Sequence, residues 1–139
     1  MRLLLKWFTF WHIFFYRLTR GRLGAHMGKY PMALVTTKGC KTGKWRTAPL
    51  GFMPDGERYV LIASYGGSPT HPAWYLNLVA NPEAHVQFKG RKMRMRARTA
   101  VGEERSRLWA LALTYYDYAR YQRRTTREIP VVVLTPLAQ

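Results

Sequence analysis

Residues 34–82 read LVTTKGCKTGKWRTAPLGFMPDGERYVLIASYGGSPTHPAWYLNLVANP, and they give the strongest indication of the fold class. Apolar and β-branched runs alternate here with loops that are rich in glycine and in basic residues. Short apolar runs bounded by turn-forming residues are typical of β-strands. The stretch therefore predicts a strand scaffold whose loops present backbone amides and positive charge to an anionic, ring-bearing ligand.

Turn-forming residues set the limits of the predicted elements. Residues 54–57, Pro-Asp-Gly-Glu, predict a hairpin turn, because proline presets φ and glycine accepts a positive φ. Pro72 suits the first position of a helix, which Asn81-Pro82 would end. The predicted elements are strands over residues 32–37, 45–53 and 58–64 and a short helix over 73–80.

The remainder of the chain continues the antiparallel pattern. A second hairpin is predicted over residues 84–88 and 91–100, and in its second strand three arginines alternate with apolar residues and share one face. A long helix is predicted from Gly102 onward, and a final strand over 129–134. Meandering hairpins in a chain of 139 residues favour a mainly β, α+β fold, a small barrel with helices packed outside it.

Composition places the chain among single-domain proteins that bind anions. Its 139 residues carry a net charge of +16, and ten lysines and arginines precede the first acidic residue, Asp55. Such a chain must meet nucleic acid, an acidic membrane surface or a phosphorylated ligand. The single cysteine, Cys40, excludes an internal disulfide framework, and the four histidines lack metal-binding spacing, so no metal site is expected.

Residues 1–24, MRLLLKWFTFWHIFFYRLTRGRLG, form a separate aromatic and basic segment. The apolar run is short and interrupted by charge, which does not suit a membrane-spanning helix. As an amphipathic helix it would place tryptophan and tyrosine at headgroup level, with arginines reaching water. We expect residues 1–24 to associate with an anionic membrane surface and residues 25–139 to form the barrel, which makes the protein cytoplasmic and peripheral on the inner face of the cell membrane. The alternative is a helix packed on the domain or on a partner.

The loop over residues 39–44, GCKTGK, is the first candidate for chemistry. A nucleotide-binding P-loop is excluded, because the spacing is one residue short, Trp45 replaces the magnesium-binding Ser/Thr and no helix follows. What remains is a loop with glycine amides and with Lys41 and Lys44, and Arg46 lies just beyond it. That composition suits either a phosphate nest or a solvated basic turn.

Two further clusters carry polar and aromatic groups. Paired glycines in residues 64–67, SYGG, let the backbone approach a ligand closely, although a plain loop is the commoner case. Tyr115, Tyr118 and Tyr121 recur every three residues and would line one side of the long helix, with Tyr116 off that side. Such a stripe is ordinary packing or the wall of a pocket for a flat substrate. Hydrolysis has little support, since no Ser-His-Asp order and no close carboxylate pair is present, and a cofactor with its own reactivity fits better.

Three segments together resemble the deazaflavin (F420)-dependent nitroreductase and F420H2-dependent quinone reductase family. They are TTKGCKTGKWRTAPL, VLIASYGGSPTHPAWYLNLVANP and YDYARYQRRTTREIPVVVL, and the resemblance covers about residues 31–136. It implies a split β-barrel related to the flavin-reductase and pyridoxamine-phosphate-oxidase-like fold. It further implies an oxidoreductase that transfers a hydride from reduced coenzyme F420 to a quinone or nitro compound.

Three sets of residues match motif positions of the family, and the resemblance gives each set a role. The set expected to hold the phosphate and acidic tail of F420 is Lys41, Thr42, Gly43 and Arg46. The set expected to lie around the deazaflavin ring is Thr47, Ala48, Pro49, Ser64, Tyr65, Gly66, Gly67, Trp74 and Asn77. The set expected to wall the acceptor pocket and to act in catalysis is Tyr115, Tyr118 and Tyr121.

The chain also departs from the family's pattern. Cys40 stands where arginine is frequent, Tyr65 where lysine is common, and Ala48 where some members have a polar residue. F420 carries a phosphate and glutamates, which accounts for part of the positive charge. A lipophilic quinone acceptor accounts for a membrane-seeking N-terminus.

Two alternatives come from other classes of protein. A basic nucleic-acid-binding β-barrel would use the positive residues between Lys89 and Arg98. That strand lacks the aromatic residues on which bases stack, so no nucleic acid partner is expected. The other alternative is a non-catalytic flavin- or haem-binding module, which a yellow FMN chromophore in purified protein would favour.

Overall fold

The structure of the protein is a computed structural model that describes residues 26–27 and 30–138. Eight strands occur in this part of the chain: β1 (His26–Met27), β2 (Tyr30–Lys38), β3 (Trp45–Gly51), β4 (Met53–Asp55), β5 (Arg58–Ile62), β6 (Glu83–Phe88), β7 (Arg91–Thr99) and β8 (Val131–Pro136). The helices here are α1 (Ala73–Ala80), α2 (Gly102–Tyr115) and α3 (Tyr118–Gln122), and a 3-10 turn spans Tyr65–Gly67. None of these helices is long and apolar enough to cross a membrane. The helix predicted in residues 1–24 lies outside the described residues.

The sheet is antiparallel and curls on itself. Its strands follow the order β1-β2-β6-β7-β8-β5-β4, and β3 pairs with β2. The strands β3 and β4 thus lie at opposite ends of the sheet, although Phe52 alone separates them along the chain. The sheet must curl until these ends meet, which makes it a barrel with helices packed outside. The predicted fold class is confirmed.

The strand predicted over residues 45–53 is in fact two strands, so that prediction was wrong. β3 ends at Gly51 and pairs with β2, whereas β4 begins at Met53 and forms the predicted hairpin with β5. The change of partner occurs at Phe52, whose amide donates to the Pro31 carbonyl oxygen at 2.9 Å and whose ring is buried. Apolar residues continue through this bend, and for that reason the sequence pattern does not mark it.

Two clusters of buried side chains hold the barrel and its helices together. The first fills the barrel, with Phe52, Leu61 and Met95 among its fully buried members. The second packs α2 and α3 against the sheet through Leu108 and Tyr118, and it also contains Ile129. Successive residues of a strand point to opposite faces, so β8 supplies Val132 and Leu134 to the first cluster and Val131 and Val133 to the second. β8 is therefore buried on both faces.

The predicted alternation along β7 is confirmed. Met95 and Ala97 are buried, whereas the arginines between and beside them are exposed. Two of these arginines are paired: Arg94 donates to Glu83 at 2.6 Å, and Arg98 pairs with Glu104. The arginine face of β7 is thus partly neutralised, which argues against its use as a nucleic-acid-binding surface.

The predicted long helix is broken, and the shared tyrosine face fails with it. α2 ends at Tyr115, and the next residue, Tyr116, is extended, with φ −158° and ψ 156°. Asp117 then caps α3 by accepting a hydrogen bond from the Arg120 amide at 3.2 Å. Aspartate at such a position stabilises a new helix start. Tyr115 therefore lies on a different helix from Tyr118 and Tyr121.

Candidate functional site

A cleft of about 470 Å³ opens between strands β2 and β3, the 3-10 turn and α3. Apolar side chains and tyrosines line it. The full lining is Tyr30, Met32, Pro49, Leu50, Gly51, Leu61, Ile62, Ser64, Tyr65, Gly66, Pro72, Trp74, Tyr116, Tyr118 and Tyr121. A cleft of this size and chemistry suits a flat aromatic ligand.

Residues predicted for the cofactor ring and for the acceptor border this one cleft. The ring set supplies Pro49, Ser64, Tyr65, Gly66 and Trp74, and the acceptor set supplies Tyr118 and Tyr121. The predicted residues that do not line it are Lys41, Thr42, Gly43, Arg46, Thr47, Ala48, Gly67, Asn77 and Tyr115. Residues expected around the deazaflavin ring and residues expected around the acceptor thus border the same cleft. The set expected to bind the phosphate lies outside this cleft.

The loop over residues 39–44 uses its own glycine amides. The Gly39 amide donates to the Lys44 carbonyl at 2.8 Å, and the Gly43 amide donates to the Gly39 carbonyl at 2.8 Å. Gly43 has φ +72°, a conformation that favours glycine. The Lys44 amide donates to the Thr42 hydroxyl at 3.2 Å. A nest of free glycine amides is therefore absent from this loop, and its capacity to bind an anion rests mainly on its cationic side chains.

Those cationic side chains are exposed and face no carboxylate. Lys41, Lys44 and Arg46 are exposed, and across residues 30–138 none of them makes an ion pair. The carboxylates of Asp55 and Glu104 are engaged by arginines elsewhere on the barrel. The 39–46 segment is therefore a cationic surface without an internal counter-ion.

Asn77 braces this loop from α1. Its side chain is buried, with 7% exposure, and it forms hydrogen bonds both to β2 and to the loop that follows β2. The Asn77 oxygen accepts from the Cys40 amide at 3.0 Å, and its nitrogen donates to the Thr37 hydroxyl at 3.0 Å. Asn77 therefore braces the basic loop from its buried position on α1. Asn77 bonds to the backbone amide of Cys40. The presence of cysteine where the family often has arginine therefore does not affect this hydrogen bond.

Two arginines of the segment after α3 hold the turn that borders the cleft. Arg127 donates to the carbonyl oxygens of Ala63, Ser64 and Ser68 and lies 3.1 Å from His71 Nδ1. Arg124 donates to the Gly66 carbonyl at 3.2 Å. Neither arginine could be recognised from the sequence, because residues 123–127, RRTTR, look like a solvated basic run and no local pattern marks partners some sixty residues earlier in the chain.

Gly67 has a packing role in this turn. It is buried with φ +82°, and a Cβ placed there would lie 2.7 Å from the Tyr121 carbonyl oxygen and 2.9 Å from Arg124 Cβ. Only glycine lets the turn pack this closely against α3. Gly67 thus sets the position of the turn, whereas Ser64, Tyr65 and Gly66 border the cleft.

The tyrosines of the cleft form two hydroxyl pairs. The Tyr118 hydroxyl donates to the Tyr30 hydroxyl at 2.6 Å, and the Tyr116 and Tyr121 hydroxyls lie 2.9 Å apart. Burial raises the pKa of both Tyr118 and Tyr30, and the hydrogen bond to Tyr121 raises the pKa of Tyr116. The hydroxyls of Tyr30, Tyr116 and Tyr118 are therefore protonated at neutral pH.

The structure changes the predicted tyrosine set. Tyr116, predicted to lie off the tyrosine side, lines the cleft, whereas Tyr115 does not line it and packs on the Tyr30 ring at a centroid distance of 5.3 Å. The break after Tyr115 puts Tyr115 on a different helix from Tyr118 and Tyr121 and leaves Tyr116 between the two helices, which accounts for the exchange. Tyr30 was missed because the first predicted strand begins only at residue 32. It is the first residue of β2, and its aromatic character was the available signal.

Comparison with known proteins identifies the class that this barrel and cleft define. A family model described as F420H(2)-dependent quinone reductase matches residues 9–136. The chain is 39% identical over 129 residues to an F420H(2)-dependent quinone reductase of Mycobacterium tuberculosis (strain ATCC 25618 / H37Rv), covering 89% of this chain and 87% of the relative. A solved F420-H2 dependent reductase, FDR-A, is 43% identical with a TM-score of 0.68, covering 75% of this chain and 93% of that one.

The chain belongs to the F420H2-dependent quinone reductase family. The predicted class, an F420-dependent oxidoreductase, is confirmed at the level of the family. At the level of fold alone, the barrel resembles a Listeria innocua protein assigned as a pyridoxamine 5'-phosphate oxidase, with 12% identity and a TM-score of 0.53 over 77% of this chain and 84% of that one. These structural similarities confirm the predicted split β-barrel.

Proposed function

We propose that this protein transfers a hydride from reduced F420 to a quinone or nitro compound bound in the cleft. The observation that carries the proposal is that the ring-lining residues and the tyrosines border one space. A hydride donor and its acceptor must approach to about 3–3.5 Å, so a site for both needs a single shared cleft. A binding module without turnover would not need a second, hydroxyl-lined wall.

The described residues fit coenzyme F420. The cleft offers Pro49 and Trp74 to a flat ring, and β3 leads from Pro49 to Arg46 and the basic loop. At about 3.4 Å per strand residue, these two positions lie roughly 10 Å apart, which puts cationic side chains beyond the ring site on a continuous surface. Lys41 and Arg46 would hold the phosphate and acidic tail through charge-assisted hydrogen bonds. The bound coenzyme supplies the hydride.

The chain's own residues would orient the reactants and exclude water. Tyr65 is 62% exposed at the cleft and has φ +46°, which is rare for a residue with a side chain. The arginine contacts on either side of Tyr65 hold its turn in this conformation. Tyr65 would cover one side of the cleft, and a tyrosine hydroxyl would donate a hydrogen bond to the acceptor oxygen as negative charge develops on it.

We further propose that the acceptor is a lipophilic quinone and that residues 1–24 hold the protein at the cytoplasmic face of an anionic membrane. The support is the density of Trp, Phe and Tyr in this segment with Lys and Arg at its flanks. The apolar lining of the cleft suits a quinone ring. A membrane-bound quinone would then be taken up without crossing bulk water.

Titration with F420 tests the cofactor site. Quenching of tryptophan fluorescence serves as the readout, because Trp74 borders the cleft. Lys41→Ala and Arg46→Ala should each weaken binding by about 1.5–3 kcal/mol, or roughly 10- to 150-fold, the range for hydrogen bonds to charged groups. Lys92→Ala is the matched control, since it removes one exposed charge from β7, away from the cleft.

The three titrations separate site binding from general attraction. If Lys92→Ala weakens F420 binding as much as the other two variants, the positive field acts as a whole and the assigned anion site is wrong. If neither Lys41→Ala nor Arg46→Ala changes the affinity, the tail binds elsewhere. Tight FMN binding without F420 binding would instead favour the non-catalytic flavin module.

A further inference from the structure

The Tyr30 ring fills a space that a side chain at position 51 would otherwise occupy. Its ring lies against Gly51 of β3, where a Cβ would come within 2.8 Å of Tyr30 Cδ1 and 2.9 Å of Cε1. These ring atoms cannot move away freely, because the ring is also packed by Tyr115 and Tyr118 at centroid distances of 5.3 and 6.4 Å. The missing side chain at Gly51 thus makes room for the Tyr30 ring at the cleft wall.

The direction of one hydrogen bond decides which hydroxyl is available. Tyr118 is buried, with 8% exposure, and its hydroxyl donates to the Tyr30 oxygen at 2.6 Å. A phenolic hydroxyl has one proton to donate. Tyr118 has therefore committed its proton within the protein, whereas Tyr30 receives that hydrogen bond and keeps its own proton for a group in the cleft.

We propose that Tyr30 is the residue whose hydroxyl donates a hydrogen bond to the acceptor oxygen, and that Tyr118 is a positioning residue that acts through Tyr30. This inference rests on the proposed function and names a catalytic hydroxyl for it. Hydride arrival puts negative charge on the acceptor oxygen, and a preorganised donor stabilises that charge. The hydrogen bond from Tyr118 fixes the Tyr30 oxygen and aligns its free proton.

The electrostatic surroundings agree with a donor role. Burial raises the pKa of Tyr30, which keeps the hydroxyl protonated throughout the neutral range. The other cleft hydroxyls, Tyr116 and Tyr121, bond to each other, and Tyr116 is 43% exposed. Water reaches that pair more easily, so its hydrogen bond to an acceptor would be worth less than one from Tyr30.

The test compares Tyr30→Phe and Tyr118→Phe, which keep both rings and remove one hydroxyl each. Steady-state reduction of menadione with reduced F420 should fall on the order of 10²-fold in kcat for Tyr30→Phe, and about tenfold or less for Tyr118→Phe. In the double variant, Tyr118→Phe should add nothing to Tyr30→Phe, because a positioning residue has no effect once its target is absent. Tyr121→Phe is the control and should cost less than Tyr30→Phe.

Two binding measurements separate this inference from the proposed function. F420 affinity should be the same in the parent and in all four variants, and a parent that fails to bind F420 refutes the proposed function itself. The affinity for menadione in the absence of coenzyme, measured by tryptophan quenching, should fall a few fold in Tyr30→Phe because one neutral hydrogen bond is lost. Gly51→Ala, which displaces the Tyr30 ring, should lower kcat while the hydroxyl is still present.

Three results would overturn the assignment. The first is parent-like turnover in Tyr30→Phe. The second is a larger loss in Tyr118→Phe than in Tyr30→Phe, which would make Tyr118 the donor. The third is a double variant whose loss equals the product of the single losses, since two independent donors would then contact the acceptor.

Discussion

Replacement of Arg127 by methionine tests whether one side chain holds the turn that borders the cleft. Methionine keeps much of the aliphatic stem and removes the guanidinium, so packing changes little while every hydrogen bond is lost. The turn over Tyr65–Gly67 would then be held mainly by Arg124 and by its contact with α3. We expect the turn to loosen, with a loss of stability and of F420 affinity together.

The size of the effect follows from the contacts. Arg127 donates to the carbonyl oxygens of Ser64 and Ser68, each at 2.8 Å, and of Ala63 at 3.2 Å, and it lies 3.1 Å from His71 Nδ1. A hydrogen bond to a charged group contributes about 1.5–3 kcal/mol, but bonds from one guanidinium are not additive. Burial, which lowers the pKa of Arg127, also offsets part of the gain. Together these give about 2–4 kcal/mol for Arg127→Met.

Urea unfolding gives the free energy of unfolding, and F420 titration reports on the turn. Arg123→Met is the matched control, because Arg123 belongs to the same segment and its side chain is exposed. Arg127→Lys should recover part of the loss, since lysine keeps the charge but cannot reach four groups at once. A free energy of unfolding for Arg127→Met within about 0.5 kcal/mol of the Arg123→Met value, with unchanged F420 affinity, would refute the reasoning.

Three further outcomes follow from other features. Asn77→Leu should weaken F420 binding several-fold by releasing the basic loop. Stability should fall by about 1–3 kcal/mol, because the buried Thr37 hydroxyl and the Cys40 amide lose their partner. An unchanged F420 titration would show that the brace is not needed. Hydrogen bonds from Arg107 and Arg98 lower the pKa values of Asp55 and Glu104, respectively. The stability that these two carboxylates contribute is therefore complete above about pH 4.5 and is lost as pH falls through their lowered folded-state pKa values. The urea midpoint should drop over that pH range in the parent, and it should drop less in Asp55→Asn. The parent chain should sediment with anionic vesicles at low salt and a chain lacking residues 1–24 should not, and equal sedimentation would exclude that segment as the anchor.

Much of the barrel could be predicted from local patterns. The turn at residues 54–57, the helix after Pro72 and the alternation along β7 all depend on neighbours in sequence, and each was found close to its observed place. The family resemblance added the cofactor class, and five of the residues it assigned to the ring border the cleft. Local chemistry therefore reaches the elements and one wall of the site.

Most of the failures depend on contacts between distant segments, and the exception is the helix break at Asp117, whose cap is local. The bend at Phe52 is set by the Pro31 carbonyl oxygen, and the helix break at Asp117 by a cap within a continuing polar and aromatic pattern. Arg127 and Tyr30 matter through partners more than fifty residues away. No periodicity in a single sequence reports such pairs, so the second wall of the cleft could be described only from the three-dimensional arrangement.

The central place of β8 has a consequence for how the chain folds. β8 is the last of the described strands in chain order, yet it pairs with β7 on one side and β5 on the other. Until residues 131–136 are in place, the segment from β2 to β7 and the β4–β5 hairpin have no strand between them, and both buried clusters lack a wall. Closure thus waits for contacts of long sequence separation, which slow folding and leave strand edges open during synthesis. A nascent chain of this protein should be most prone to aggregation just before β8 is made, and most responsive to chaperones at that point.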